Sequence, residues 1–332
     1  MPVDQRTLGV AGPVSAVGLG CMGMSGTYGP TDRAEAIATI HAALDGGITL
    51  LDTGDFYGMG HNELLIAEAL RGRDRDAVLL SVKFGGQRDP GGGFLGFDGR
   101  PAAVKSSLAY SLQRLGTDHV DIYRPARLDP GVPIEETVGA VAECIEAGWV
   151  RFLGLSEVGA ATIRRAHAVH PVADVQLEYS LMSRSLEERV LPTTRELGIA
   201  TTAYGALSRG LLSGNWSPDR AFAPGDFRAH APRFAADAVD ANLALVEALR
   251  RVADELGATV AEVAVAWVAS RGDDIVPVIG ARTTAQLAGV LRATELTLDD
   301  AQLAAVESAV PADAVVGTRY AAPQMGGLDS ER

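Results

Sequence analysis

The sequence predicts an α/β fold in which eight parallel strands, each followed by a helix, close into a (β/α)₈ barrel of the TIM type. An amino-terminal β-hairpin and a carboxyl-terminal helical extension are added to it. Three observations carry this prediction. Short apolar runs alternate with helix-period segments along the chain, eight such runs can be counted, and 332 residues suit a barrel of about 250 residues with additions. The length would also fit two smaller domains. Strand then helix, repeated eight times, favours a single barrel domain over residues 1–332.

In chain order, a hairpin is expected around Arg6 to Ser15. Strands then fall near Val17 to Gly20, Thr49 to Asp52, Val78 to Lys83, Val120 to Tyr123, Phe152 to Ser156, Val175 to Leu177, Ala200 to Tyr204 and Ile275 to Ile279. Helical stretches lie between them at Arg33 to Leu44, Ala103 to Leu115, Glu135 to Glu146, Thr162 to Val169 and Glu187 to Leu197. Their ends are marked by Gly46 and Gly47, Gly116, Gly148 and Gly198, each just past the last periodic residue. The loop from Ser208 to Pro232 and the tail beyond Leu296 complete the additions.

A net charge of −13 and the lack of any basic block argue against nucleic acid or an anionic membrane as a partner. No apolar run is long enough to span a bilayer, and the amino terminus has no apolar signal core. Cys21 and Cys144 form no disulfide or metal-ligand pattern, which suits a reducing cytoplasm. His119, His167 and His170 have no ligand spacing with a carboxylate or a third imidazole, so no metal is expected. Trp149 and Trp267 fall on apolar helical faces and read as core. The oligomeric state is left open.

The chemistry concentrates at strand ends. In LDTGDFYG a buried strand ends at Asp52 and the following loop carries Tyr57, while VLLSVKFGG delivers Lys83. A buried amine needs a carboxylate partner, and Asp52 would supply it. An ammonium beside a phenol favours phenolate, lowering the ordinary value of about 10. Asp52, Lys83 and Tyr57 together would make a tuned proton donor for a carbonyl oxygen; a structural ion pair beside a packed tyrosine is the alternative.

Two glycine strings, Gly18, Gly20, Gly23 and Gly91, Gly93, Gly96, match a dinucleotide fingerprint. The first is followed by a helix only from about Asp32, and the second lies within a loop. Neither has the strand–turn–helix context of a Rossmann unit. Ser156, Gln176 and Tyr204 join Asp52 and Lys83 at strand ends, where barrel sites gather. Gly280 and Arg282 precede a helix opening at Thr283 and Thr284, a geometry suited to a phosphate.

Over essentially its full length the chain resembles the aldo-keto reductase superfamily. The strings that carry the resemblance are GLGCMGMS, LDTGDFYGMGHNE, VKFG, VDIYRPARLDP, GLSEVG, VQLEYSL, AYGALSRGLLSG and IGARTTAQL. In pattern it is similar to the open-chain bacterial reductases that share ancestry with potassium-channel β subunits. The resemblance implies a barrel that binds NADPH without a Rossmann domain. It implies Tyr57 as proton donor, Asp52 and Lys83 as its tuning pair, and Ser156 and Gln176 as binders of the carboxamide. Tyr204 would stack on the nicotinamide, and Gly205, Ala206, Leu207, Ser208, Arg209 and Gly210 would follow the pyrophosphate. Arg282 and Gln286 would hold the adenosine 2′-phosphate, with Gly23, Met24 and Gly280 lining the same cofactor site.

Three positions depart from the family pattern. The usual histidine is Ala126, the usual asparagine after Ser156 is Glu157, and an acidic–Asn pair is Gly289 and Val290. Alanine cannot donate to a substrate carbonyl, and a lost oriented donor costs about 10²-fold or more in rate. Tyr57, Arg124, Ala126 and Trp216 are expected to face substrate. Arg124, two residues before Ala126 on the same strand face, is either an electrostatic stand-in or a barrel-interior ion-pair partner. His61 is expected to be an exposed neighbour of a helix start. The activity implied is NADPH-dependent reduction of an aldehyde or ketone; the alternatives are a nicotinamide-bound sensor and altered redox chemistry.

Overall fold

The computed structural model describes residues 3–217 and 219–331. β1 (Gln5–Thr7) and β2 (Pro13–Ser15) form the antiparallel hairpin. Eight parallel strands follow: β3 (Gly18–Gly20), β4 (Leu50–Gly54), β5 (Leu79–Phe84), β8 (Val120–Pro125), β9 (Val150–Ser156), β10 (Val172–Glu178), β11 (Ala200–Tyr204) and β12 (Ile275–Gly280). They close in that order, with β12 pairing back to β3. The loop expected between Gly85 and Arg100 holds a small antiparallel pair, β6 (Gly86–Arg88) and β7 (Phe94–Phe97).

Helices cover the barrel wall between the strands. α1 (Arg33–Asp45) starts where the Asp32 carboxylate accepts the Glu35 amide at 2.8 Å. α2 (His61–Ala69) begins at His61, which is exposed at its start as expected. α3 (Pro101–Leu115) begins on a proline and ends on Gly116 at φ 66°. α4 (Ile134–Glu146), α5 (Ala160–Val169) and α6 (Leu186–Glu196) follow in the regular alternation. α7 (Ala236–Glu255) and α8 (Val260–Ala269) precede β12, α8 opening with a reciprocal Thr259–Glu262 cap. α9 (Thr284–Ala293), α10 (Asp300–Ala309) and the short α11 (Ala322–Met325) end the chain. No helix among the described residues is long and apolar enough to cross a membrane. Trp267 is fully buried, whereas Trp149 is 48% exposed in the turn before β9, so its apolar surface is not part of the core.

The barrel interior is layered along its axis. At the amino ends, Leu8 and Val14 of the hairpin pack with Leu50, Ile122, Ala200 and Val276 and close the floor. One level up lies a charged layer: Arg124 pairs with Asp174 at 2.8 Å, and its other nitrogen reaches Ser81 at 2.9 Å. Thr202 donates to the same Asp174 oxygen at 2.5 Å. Space for this layer comes from Gly154, where a Cβ would sit 2.7 Å from Ile122, 2.9 Å from Asp174 Oδ1 and 3.1 Å from the Arg124 guanidinium. Gly154→Ala is therefore expected to destabilise the fold by about 1–3 kcal/mol by overpacking, read as a lower urea midpoint with an unchanged slope.

Candidate active site

Adjacent strand ends assemble the centre. The β4–β5 register sets Asp52 opposite Ser81 and Gly54 opposite Lys83, and β5–β8 sets Lys83 opposite Arg124. Lys83 Nζ forms an ion pair with Asp52 Oδ1. The second Asp52 oxygen accepts from Ser81 Oγ at 2.9 Å and Gln176 Nε2 at 2.8 Å. Burial alone would push the Asp52 carboxyl up, but Lys83 and Arg124 hold it below the usual carboxylate range. Burial also brings the Lys83 ammonium below its ordinary value, against the pull of Asp52.

Tyr57 stands on a tight turn after β4, where Gly58 and Met59 take left-handed backbone angles, φ 57° and 54°. Its ring lies 5.5 Å from Lys83 Nζ and meets Phe56 edge-on. The expected lowering of its pKa is overturned. Burial, then the Asp52 carboxylate, push the phenol well above its ordinary value. The physical reason is that the ammonium charge is already matched by Asp52, so the phenol meets a nearly neutral pair in a dry setting. Tyr57 holds its proton.

Beside the pair, two fully buried polar atoms have no hydrogen-bond partner: Ser156 Oγ and Gln176 Oε1. A hydroxyl and an amide oxygen left open together match the acceptor and donor of a carboxamide. Tyr204, at the end of β11, is half-buried; the turn after it runs through Gly205 at φ 73° and then through Ser208, Arg209 and Gly210, all at positive φ. Ala206 is buried and Leu207 partly buried in that turn. The Arg209 side chain is committed elsewhere, pairing with Glu178 at 2.9 Å and lying over the Tyr320 ring at 4.4 Å.

Further round the rim, Arg282 makes no ion pair among the described residues. Its stem lies across Gly23, where a Cβ would meet Arg282 Cγ at 3.2 Å, and Nη1 reaches the Tyr28 carbonyl at 3.2 Å. Met24 is buried next to Gly23, and the Gln286 side chain accepts the Arg282 amide at 2.8 Å. Burial, then Arg228 and Arg220, bring the Arg282 guanidinium below its ordinary value. Of these three cations only Arg228 forms an ion pair among the described residues, with Asp226 at 2.6 Å, and such a cluster is a receptor for an anion. The opening of α9 itself is taken by a carboxylate, Glu35, which accepts the Thr284 amide at 2.8 Å.

One residue expected to face substrate lies elsewhere. Arg124 is fully buried one layer below the rim, because the period-two alternation that places it inside the barrel places it under Ser81 and Asp52. Trp216 packs with Phe222 and Phe234 and lies between the Arg220 and Arg228 guanidinium groups, 4.7 and 5.0 Å away. The long loop buries its own aromatic residues together, on the Arg282 side. Ala126 is buried on the extension of β8, its amide bonded to the Phe84 carbonyl. A cleft of about 560 Å³ is lined by Gly58, Met59, Arg88, Phe227 and His230 among others.

Sequence reasoning missed the contribution of the carboxyl-terminal segment. Arg319 is buried and pairs with both oxygens of Glu157, at 3.0 and 2.9 Å. Burial would raise the Glu157 carboxyl, but Arg319 and Arg127 hold it far below the carboxylate range. Tyr320 places its hydroxyl 3.0 Å from that of Tyr204 and 3.1 Å from Arg127 Nη2. Glu157, standing where the family pattern has asparagine, was the one visible signal. Among the described residues no group of three or more His, Cys, Asp or Glu side chains is placed to hold a metal.

Comparison with known proteins places this geometry. The Aldo/keto reductase family model matches residues 16–311. A probable aldo-keto reductase 1 from Glycine max is 39% identical over 320 residues, covering 96% of this chain and 91% of its own. The glycerol dehydrogenase AKR11B4 from Gluconobacter oxydans superposes with a TM-score of 0.83 at 30% identity, over 93% of this chain and 95% of that one. The holo form of aldo-keto reductase AKR11C1 from Bacillus halodurans gives 0.77 at 26% identity, over 93% and 97%. A closed parallel barrel with a strand-end Asp–Lys pair and a neighbouring tyrosine, matched in sequence across nearly its whole length, makes this chain a member of the aldo/keto reductase family.

Proposed function

We propose that the chain reduces an aldehyde or ketone to an alcohol with NADPH, Tyr57 donating the proton. The observation that carries this reading is the Tyr57 ring 5.5 Å from Lys83 Nζ of the buried Asp52–Lys83 pair, with Ser156 Oγ and Gln176 Oε1 left open beside that pair. Ser156 and Gln176 would hold the carboxamide, Tyr204 would take the nicotinamide face, and the turn from Gly205 to Gly210 would follow the pyrophosphate. When bound, the nicotinamide supplies a hydride to the carbonyl carbon. Tyr57 gives its proton to the carbonyl oxygen, so the products are the alcohol and the oxidised cofactor. Asp52 keeps Lys83 in place beside the Tyr57 ring, and reprotonation of Tyr57 completes the cycle. The likeness to a glycerol dehydrogenase supports a small, hydroxyl-bearing carbonyl compound as substrate.

The choice of NADPH rests on Arg282, which lacks a carboxylate partner. Glu35 on the α9 opening acts against it as a nearby negative charge. Arg282→Ala should weaken NADPH binding by about 10- to 100-fold and NADH binding little, and Glu35→Gln should tighten NADPH, as one charge-assisted bond is worth about 1.5–3 kcal/mol. Fluorescence titration with both cofactors checks this. The reading as a whole is tested by loss of reduced-nicotinamide absorbance with a panel of aldehydes, ketones and dicarbonyls. Tight NADPH binding without turnover would favour a cofactor-bound sensor, the reading that the donorless Ala126 supports.

A further inference from the structure

The residue that fills the role left empty at Ala126 comes from the far end of the chain. Tyr320 is half-buried and is held on four sides: Arg209 lies over its ring at 4.4 Å, Phe227 meets it edge-on at 6.1 Å, Arg127 Nη2 donates to its hydroxyl at 3.1 Å, and Tyr204 Oη lies 3.0 Å away. Phe227 is itself a wall of the cleft that Gly58 and Met59, which follow Tyr57, also line. Next door, Arg319 anchors the segment through its two-oxygen contact with Glu157 and through Glu331 at 2.5 Å. This anchoring pre-organises the ring, so little entropy remains to be lost on binding a substrate.

The direction of the hydrogen bonds decides what Tyr320 can do. Glu157 is ionised and can only accept, so Tyr204 must donate its proton to Glu157 Oε1 at 2.7 Å. Tyr204 then has only a lone pair left for Tyr320. Arg127 carries no acceptor and must donate to the Tyr320 oxygen. Tyr320 therefore donates to Tyr204 at 3.0 Å, a bond between two neutral hydroxyls and the weakest in this chain of groups, so its proton is the one that can turn toward a new acceptor, and the guanidinium on its oxygen makes it a stronger donor. Arg127 follows Ala126 directly and donates to its carbonyl at 2.6 Å while its other nitrogen holds the Tyr320 hydroxyl, so the Tyr320 oxygen is tied to the position of the missing histidine.

We propose that Tyr320 is a catalytic residue, its hydroxyl donating to the substrate carbonyl oxygen the hydrogen bond that Ala126 cannot supply. The inference rests on the carbonyl-reductase reading. Tyr320 keeps its proton throughout; the proton transferred is that of Tyr57. Glu157 and Arg319 act as positioning residues, and the replacement of the family's asparagine by Glu157 provides the anchor that brings Tyr320 into the site.

The test compares wild type, Tyr57→Phe and Tyr320→Phe in single-turnover and steady-state reduction, with NADPH affinity and thermal midpoint measured on each. Tyr320→Phe removes one oxygen and keeps the ring, so its packing is preserved. The expected result is a fall of about 10²-fold in both kcat and kcat/KM with NADPH affinity and thermal midpoint unchanged. Turnover by Tyr320→Phe within about twofold of wild type, while Tyr57→Phe is inactive, overturns this inference and leaves the reductase reading intact. A fall in turnover accompanied by weaker NADPH binding also overturns it, assigning Tyr320 to the cofactor. Absence of turnover in wild type overturns both readings.

Discussion

Replacing Tyr57 with phenylalanine is expected to lower turnover by about 10²- to 10⁴-fold, the range for a positioned general acid. The ring and its edge contact with Phe56 survive the change, so stability and NADPH affinity should hold. The phenol also dictates a pH dependence. Burial and Asp52 raise its pKa, so the proton needed for reduction is fully present below the ordinary value of about 10 and is lost only above it. The rate of reduction should therefore show no fall assignable to Tyr57 between about pH 6 and 9. A pH profile of kcat checks the sign directly. A decline beginning near neutral pH that disappears in Tyr57→Phe would mean that Lys83 lowers the phenol after all.

Arg124→Ala is expected to destabilise the protein by about 3–5 kcal/mol, because it leaves Asp174 charged and fully buried without its cation. Thr202 alone would then donate to that carboxylate oxygen. Replacing the pair together, Arg124→Met with Asp174→Leu, should recover most of the loss, since the cost comes from the orphaned charge rather than from a net gain of the pair. Urea unfolding of the two single variants and the double variant closes the cycle. Equal destabilisation by the double and the sum of the singles would show that the two residues do not act as a pair. Turnover should also fall in Arg124→Ala, because Ser81 bridges Arg124 to Asp52 and its hydroxyl would lose one partner.

The strand ends were readable because their pattern is local. Asp52, Lys83, Ser156, Gln176 and Tyr204 each sit at the close of a short apolar run, and a parallel barrel gathers such ends at one rim. Strand boundaries shifted by a few residues, most at β10, which extends to Glu178 and so adds a rim carboxylate that the expected Val175 to Leu177 omitted. For α2 only the start at His61 was legible, because the helix opens on glycines rather than on a strong cap.

Two further properties depended on depth, which periodicity does not report. Alternation put Arg124 inside the barrel, but only the closed sheet decides that its level is a dry layer beneath Asp52. Trp216 was expected to face substrate from a long loop, and only the fold shows that it packs there with Phe222 and Phe234 between two arginines.

By itself, then, the sequence determined the barrel, the family and the Asp52–Lys83–Tyr57 centre, all of which follow from patterns a few residues long. The direction of the Tyr57 pKa, the fate of Arg124 and the arrival of Tyr320 were decided only by tertiary structure. Arg319 meets Glu157 across 162 residues of chain and Tyr320 meets Tyr204 across 116. Contacts of that separation leave no periodic trace, because they are selected by which surfaces the closed barrel brings together and by how much water it excludes from them.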